Sequence, residues 1–141
     1  MFTTVEKVIF LQDIDIFEST TTENLAHIAA ITEEVEFKKD EVIFKEGEFS
    51  DALYLVIDGQ IKLERENKLV MIAKAKNVFG TWALFDDEPR VVTATISEDS
   101  HLLKIDKEDF FDLLADHVQI TQGILKTMTK KLRGLIARVG L

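Results

Sequence analysis

The sequence predicts a mainly β protein with helices at both ends, and three observations carry that prediction. Between Val35 and Ile105, short apolar stretches alternate with charged residues and are broken at close intervals by turn signals. Many short strands of this kind build a sandwich or a barrel rather than alternating βαβ units. Up to about Thr32 the apolar residues recur instead at a helical period. From about 118 to 139 the chain has no proline and only two internal glycines, which reads as one long helix.

Taken in order, Thr20 and Glu23 fit a capping box, and Leu25, Ile28, Ala29 and Ile31 fall mostly on one face of the turns that follow. Val35 and Phe37 alternate with charge, and VIF at 42–44 ends at a KEGE turn. ALYLVI at 52–57 leads into Asp58 and Gly59, a dipeptide suited to a type I′ hairpin, after which Ile61 and Leu63 alternate again. Further strands are expected at 68–74, 91–97 and 101–105. Asp106 suits the cap of a helix over DFFDLLADH. In the last helix Leu125, Met128, Leu132, Leu135 and Val139 are spaced 3, 4, 3, 4, a heptad seam that Ile124 and Ile136 widen. Such a stripe packs either on the protein's own barrel or on a second copy; the strict alternation is narrower than a globular helix needs, so a homodimer through this helix carries equal weight.

At 141 residues and 46% hydrophobic content the chain is the size of one domain with a single core. The expected organisation is one domain over 1–141, with N-terminal helices at 1–33, a β-barrel at 34–105 and C-terminal helices at 106–141. There is no cysteine, so neither disulfides nor thiolate metal sites contribute. No apolar run approaches the roughly 20 residues that span a bilayer, and MFTTVEKVIF lacks the basic-then-apolar order of a secretory signal. A cytoplasmic protein with no membrane span is expected. The net charge of −9 is uneven: residues 1–116 hold 12 basic and all 26 acidic side chains, a body of −14, whereas 117–141 hold five basic residues and no acid. An acidic body repels phosphate backbones, so nucleic-acid binding by this chain alone is disfavoured.

Catalytic signatures are weak. His27, His101 and His117 are far apart and form no HxxxH or HxH pair, so structural roles are expected for all three and no metal. There is no GxSxG, no GxxxxGK and no cysteine nucleophile, and an enzyme is not expected. The spacing of glycines around one arginine is more informative. FKEGEFSDALYLVIDGQIKL places Phe44, Gly47, Asp51, Tyr54, Val56, Gly59, Ile61 and Leu63; NVFGTWALFDDEPRVVTAT then places Phe79, Gly80, Ala83, Leu84, Pro89 and Arg90. A glycine at 80 lets the backbone approach a ligand, and the segment Thr81 to Phe85 can form one helical turn with free N–H groups. Arg90, behind Pro89, would face the same concavity and offer a bidentate contact to phosphate.

These two stretches resemble the cyclic-nucleotide-binding domain family, whose pattern runs FxxGxxxDxxYxIxxGxIxL and then FGExALxxxxPRxAT. The resemblance extends from about Asp13 to Val139. It implies a jelly-roll β-barrel of about eight strands, an N-terminal helical section and two C-terminal helices that act as hinge and lid. It also implies cAMP or a related cyclic nucleotide as ligand, with phosphate contacts from Arg90 and from backbone groups at Gly80 and Ala83. The ligand-binding set so implied is Gly80, Thr81, Trp82, Ala83, Leu84, Pro89, Arg90, Val91 and Val92.

Departures from the pattern bear on ligand choice. Thr81 stands where members that bind cyclic nucleotides usually carry a glutamate for the ribose 2′-hydroxyl, which leaves Arg90 without its usual acidic neighbour unless Asp86, Asp87 or Glu88 takes over. Trp82 replaces a medium aliphatic residue and reads either as a base-stacking platform or as a core or interface residue. Val91 offers no hydroxyl, so selectivity for cGMP through that position is not expected, and cAMP is the first candidate. Thr93 keeps the family residue, and serves equally as a β-branched strand residue.

Two functions fit these features. One is a cyclic-nucleotide sensor that relays occupancy through its C-terminal helix to a partner or fused effector. The other is a degenerate member whose pocket is silent and which serves as an interaction or dimerisation module. Regulators of the catabolite-activator type place a helix-turn-helix after the long helix, whereas the sequence ends at Leu141, so DNA binding is not expected of this chain.

Overall fold

The structure, a computed structural model, describes residues 1–140, with the backbone alone at 82–84. Helix α1 (Thr4–Gln12), a 3-10 turn (Asp15–Phe17) and α2 (Thr22–Ala30) precede strands β1 (Thr32–Phe37), β2 (Val42–Phe44), β3 (Ala52–Arg65), β4 (Lys68–Ala73) and β5 (Val78–Phe79). Helix α3 (Thr81–Asp86), strand β6 (Thr93–Asp106), α4 (Lys107–Asp116) and α5 (Val118–Arg138) follow. All six strands form one antiparallel sheet in the order β1-β6-β3-β4, with β2 also on β6 and β5 also on β3. The mainly β class with flanking helices is as expected. The sheet is not closed by hydrogen bonds among the described residues, and six strands stand where about eight were expected.

The shortfall has a physical cause. Strands β3 and β6 are each 14 residues long, and each absorbs what the sequence reads as two strands. Asp58 and Gly59 do not form a hairpin. They lie inside β3, where its register on β6 shifts between Val56 and Asp58, again before Gln60 and again before Ile61, so the strand bends and continues. Gly59 has φ +104°, and a Cβ there would stand 2.1 Å from Ser100 Oγ; the crossing requires glycine. The expected strands at 91–97 and 101–105 are likewise one strand, β6. The tight hairpin falls instead at Glu66 and Asn67, whose φ values of +53° and +64° suit a type I′ turn between Arg65 and Lys68.

The described chain divides into two compact units, residues 31–110 with Met1 and residues 2–30 with 111 onward. In the first, alternate residues of the long strands point inward, so that Tyr54, Val56, Ile61, Leu63, Ala94, Ile96 and Leu102 make a core with Phe44, Ala73 and Phe79. Phe44, Tyr54 and Phe79 pack ring to ring, with centroids 5.4 to 6.2 Å apart.

In the second unit Leu11, Ile14, Phe17, Leu25 and Ile28 are buried. Thr3 and Glu6 make the capping box of α1. For α2 the cap lies one residue later than expected: Thr21 Oγ1 accepts from Asn24 N at 3.3 Å, while Thr20 Oγ1 is buried without a partner among the described residues. Helix α5 buries Ile120, Gly123, Ile124 and Thr127 and lies against the 3-10 turn, where Ser19 Oγ accepts from Thr127 Oγ1 at 3.3 Å. Ile124 therefore does not widen the heptad seam. The seam residues Leu125, Met128, Leu132, Leu135 and Val139, with Ile136, are all exposed. No helix of the described residues is long and apolar enough to cross a membrane.

Gly59→Ala should lower the stability of the protein by about 2–5 kcal/mol, since it adds both a strained φ and a clash with Ser100. The urea midpoint measures this, and an unchanged midpoint would remove the account of the bend.

Candidate functional site

The site is built where β5 ends. Phe79 is buried in the core, and Gly80 turns the chain with φ +84° into α3, the single helical turn expected over Thr81 to Phe85. A Cβ at Gly80 would lie 2.7 Å from Arg90 Nη1 and 3.2 Å from Ala52 O, so only glycine admits the guanidinium there. The chain leaves α3 through Asp87 at φ +59°. It passes exposed Pro89 and reaches Arg90, which pairs its backbone with the turn after β2: Arg90 N donates to Glu48 O and Gly47 N to Arg90 O, each at 2.8 Å.

Arg90 itself is the unexpected element. Its guanidinium does not stand open in a concavity; its side chain is 2% exposed. Nη1 donates to Gly80 O at 3.2 Å and Nη2 to Ala52 O at 2.7 Å, with Asp51 Oδ1 at 3.5 Å from Nη2. The cation also sits 3.9 Å from the centre of the Phe44 ring, a favourable contact in a desolvated place. Burial pulls the guanidinium below its ordinary pKa, and Tyr54 and Asp51 pull it back. Among the described residues Arg90 Nε is buried and has no hydrogen-bond partner. A buried N–H without an acceptor is costly, and an anionic oxygen is the acceptor a guanidinium takes best.

The acid that answers Arg90 is thus Asp51, not Asp86, Asp87 or Glu88. Asp86 Oδ1 accepts from Glu88 N at 3.0 Å within its own turn, and Asp87 pairs with Lys107, the first residue of α4. Phe85 meets Phe110 of α4 edge to face, with centroids 5.7 Å apart. The outer side of the cassette is an open groove of about 540 Å³ lined by Glu46, Gly47, Arg65, Glu66, Asp86, Glu88, Pro89, Arg90 and Val91.

Of the expected site residues, Gly80 and Arg90 touch each other, Thr81 opens α3 half-buried, and Pro89 and Val91 are exposed beside the groove. Val92 turns inward and packs on the core. The side chains of Trp82, Ala83 and Leu84 lie outside the described residues. Sequence reasoning missed Phe44, Gly47, Asp51 and Ala52 as partners of Arg90. Phe44, Gly47 and Asp51 are fixed positions of the first motif; Gly47 is required by its own turn at φ +83°, whereas no turn requires Phe44 or Asp51, and that was the signal to be used. Among the histidines, His27 and His117 stack with centroids 4.1 Å apart and His101 Nε2 lies 2.8 Å from Glu34 Oε2. The described residues contain no group of three or more His, Cys, Asp or Glu placed to hold a metal.

Comparison with known proteins agrees with this architecture. The cyclic nucleotide-binding domain family model matches residues 34–117, which is more than half of the chain, and the chain belongs to that family. It is 30% identical over 114 residues to a CRP-like cAMP-activated global transcriptional regulator of Mycobacterium tuberculosis, covering 75% of this chain and 51% of that protein. It is also 30% identical over 107 residues to a cAMP-dependent protein kinase regulatory subunit of Emericella nidulans, covering 74% of this chain and 26% of that protein. The chain therefore spans about half the length, or less, of these curated relatives. Among solved structures it resembles the N-terminal domain of a transcriptional regulator from Streptomyces coelicolor A3(2), with a TM-score of 0.81 and 25% identity over 89% of this chain and 94% of that one.

Arg90→Ala should cost about 2–4 kcal/mol of stability without any ligand, because it strands the Gly80 and Ala52 carbonyls and removes the packing on Phe44. Asp51→Ala should cost at most about 1 kcal/mol, since the Asp51 side chain is 68% exposed. Urea denaturation of both variants tests this; equal losses would show that the ion pair, not the carbonyl clamp, holds the arginine.

Proposed function

We propose that the chain, acting as one module over 1–141, is a cyclic-nucleotide sensor, with cAMP preferred to cGMP, whose occupancy at Arg90 is relayed through α4 to α5. The observation that carries this reading is the Nε–H of Arg90: the cation is buried, that donor has no acceptor among the described residues, and a phosphate diester would supply one with a single matching charge. The ligand set remains Gly80, Thr81, Trp82, Ala83, Leu84, Pro89, Arg90, Val91 and Val92, with Arg90 and the backbone at Gly80 and Ala83 toward the phosphate and Thr81 toward the ribose. Cyclic AMP is favoured because Val91 offers no hydroxyl to a guanine amino group, and because the two curated relatives are named for cAMP.

Two contacts support a relay. Asp87 and Phe85, at the end of the cassette helix, hold Lys107 and Phe110 in the first turn of α4, and α4 leads along the chain into α5. A ligand that draws α3 toward Arg90 would bias these contacts, and a ligand shifts an equilibrium only through such differential contacts. The output at α5 is a homodimer through the exposed seam Leu125, Met128, Leu132, Leu135 and Val139, or a partner or fused effector held by the same helix. A second reading, the silent interaction module, is favoured by one observation: Arg90 already has structural work with two carbonyls and Asp51, so its presence does not by itself require a ligand.

Calorimetric titration with cAMP, cGMP and the cyclic dinucleotides separates the two. The sensor binds cAMP more tightly than millimolar and cGMP less well, and Thr81→Glu gains about tenfold in cAMP affinity by replacing a neutral ribose contact with a charged one. Failure of every nucleotide to bind either protein below millimolar leaves the interaction module. For the seam, sedimentation should show a dimer for the wild type and a monomer for Leu132→Glu; monomers in both cases would remove the seam from the account.

A further inference from the structure

Strand β4 ends the sheet path and, among the described residues, pairs with β3 alone. Its sequence, KLVMIA, runs five apolar residues together, Leu69 to Ala73, of which all but Ala73 are exposed, with Lys68 before them and Lys74 directly after. The register on β3 sorts three of the exposed ones, while Val70 falls at the register shift between Leu63 and Glu64 and lies opposite no single residue of β3. Met71 lies opposite Leu63 and shares the core face with the buried pair Ile61 and Ala73; Leu69 and Ile72 lie opposite Glu64 and Lys62 on the other face. Apolar side chains on both faces mark a strand that is covered twice and paired on both edges. Yet Leu69, Val70, Met71 and Ile72 are 55%, 59%, 41% and 37% exposed. An exposed apolar edge is what soluble sheets avoid unless something pairs with it.

Charge narrows the choice of occupant. Between 65 and 76 there are four basic residues, Arg65, Lys68, Lys74 and Lys76, against one acid, Glu66, a local +3 on a body of −14. We propose that β4 is a docking edge for an extended segment of a partner protein, an apolar run flanked at both ends by acidic residues, which adds to the sheet as a further strand. The backbone groups of β4 that face away from β3 supply the pairing, Leu69 and Ile72 on one face and Met71 on the other take alternate apolar side chains, and Lys68 and Lys74 meet the flanking acids. A second copy fits less well. Strand β4 paired antiparallel on itself about Val70 and Met71 gathers Lys68 and Lys74 of both copies along one seam, four like charges with no acid between them.

The test uses the full chain and two labelled synthetic peptides, EEVTVIVEE and KKVTVIVKK. Fluorescence anisotropy should show binding of the glutamate-flanked peptide and at least about tenfold weaker binding of the lysine-flanked one at low salt. The double variant Lys68→Glu with Lys74→Glu, which leaves the strand backbone untouched, should reverse that order. Backbone amides of Leu69 to Ile72 should gain protection from hydrogen exchange in the complex. Equal binding of the two peptides, no binding below millimolar, or an unchanged order in the double variant overturns the proposal. Protection of the same amides that rises with protein concentration in the absence of peptide, above what their pairing with β3 gives, also overturns it and assigns the edge to a second copy.

Discussion

A guanidinium that is 2% exposed is the constraint around which the sheet unit is arranged. An unpaired buried charge would cost several kcal/mol, so each neighbour of Arg90 is fixed in kind. Gly80 must lack a Cβ, because Nη1 occupies the space. Ala52 must present its carbonyl at the start of β3, and Phe44 its ring face at the end of β2. Glu48 and Gly47 must return the backbone of Arg90 in a ladder of two bonds. Two motifs about 35 residues apart in the chain are thereby one structure, and Arg90 is the residue that joins them.

Much of this was legible in the sequence because its causes are local. The strands at 32–37, 42–44 and 68–73, the helical turn after Gly80 and the long final helix follow from period and turn chemistry. What was not legible depends on partners distant in the chain. Asp58 and Gly59 carry the residue preferences of a type I′ turn, yet the crossing with Ser100 uses the same glycine to bend a continuous strand. Nothing within β3 distinguishes the two uses. Glu66 and Asn67 form the real turn with a residue pair that lacks glycine, so the signal there was weak. In the last helix the heptad count admitted Ile124 to the seam, whereas its burial beside Ile120 and Thr127 follows from where the 3-10 turn lies.

The cassette divides in the same way. The interval from Gly80 to Arg90 and the proline between them could be read directly. The direction of the guanidinium could not, because Asp86, Asp87 and Glu88 are its nearest acids in sequence and only the fold brings Asp51 within 3.5 Å while tying Asp86 into its own turn and Asp87 to Lys107. That arrangement has a consequence for the proposed relay. Asp51 also accepts the backbone N–H of Lys107 at 2.8 Å through its carbonyl, so the segment that clamps Arg90 also holds the first residue of α4.

The groove outside the cassette adds a selection by charge. Glu46, Glu66, Asp86 and Glu88 line it, and Arg65 is its cation besides the buried Arg90. A ligand approaching Arg90 along it meets a net negative wall, so each added negative charge on the ligand is opposed while only one guanidinium rewards it. A phosphate monoester carries about −1.5 to −2 at neutral pH, whereas a cyclic diester carries a single charge. If a cyclic nucleotide is the ligand, the acidic wall would disfavour nucleotide mono- and triphosphates without contact to base or ribose, and the chain's −9 would work in the same direction at longer range.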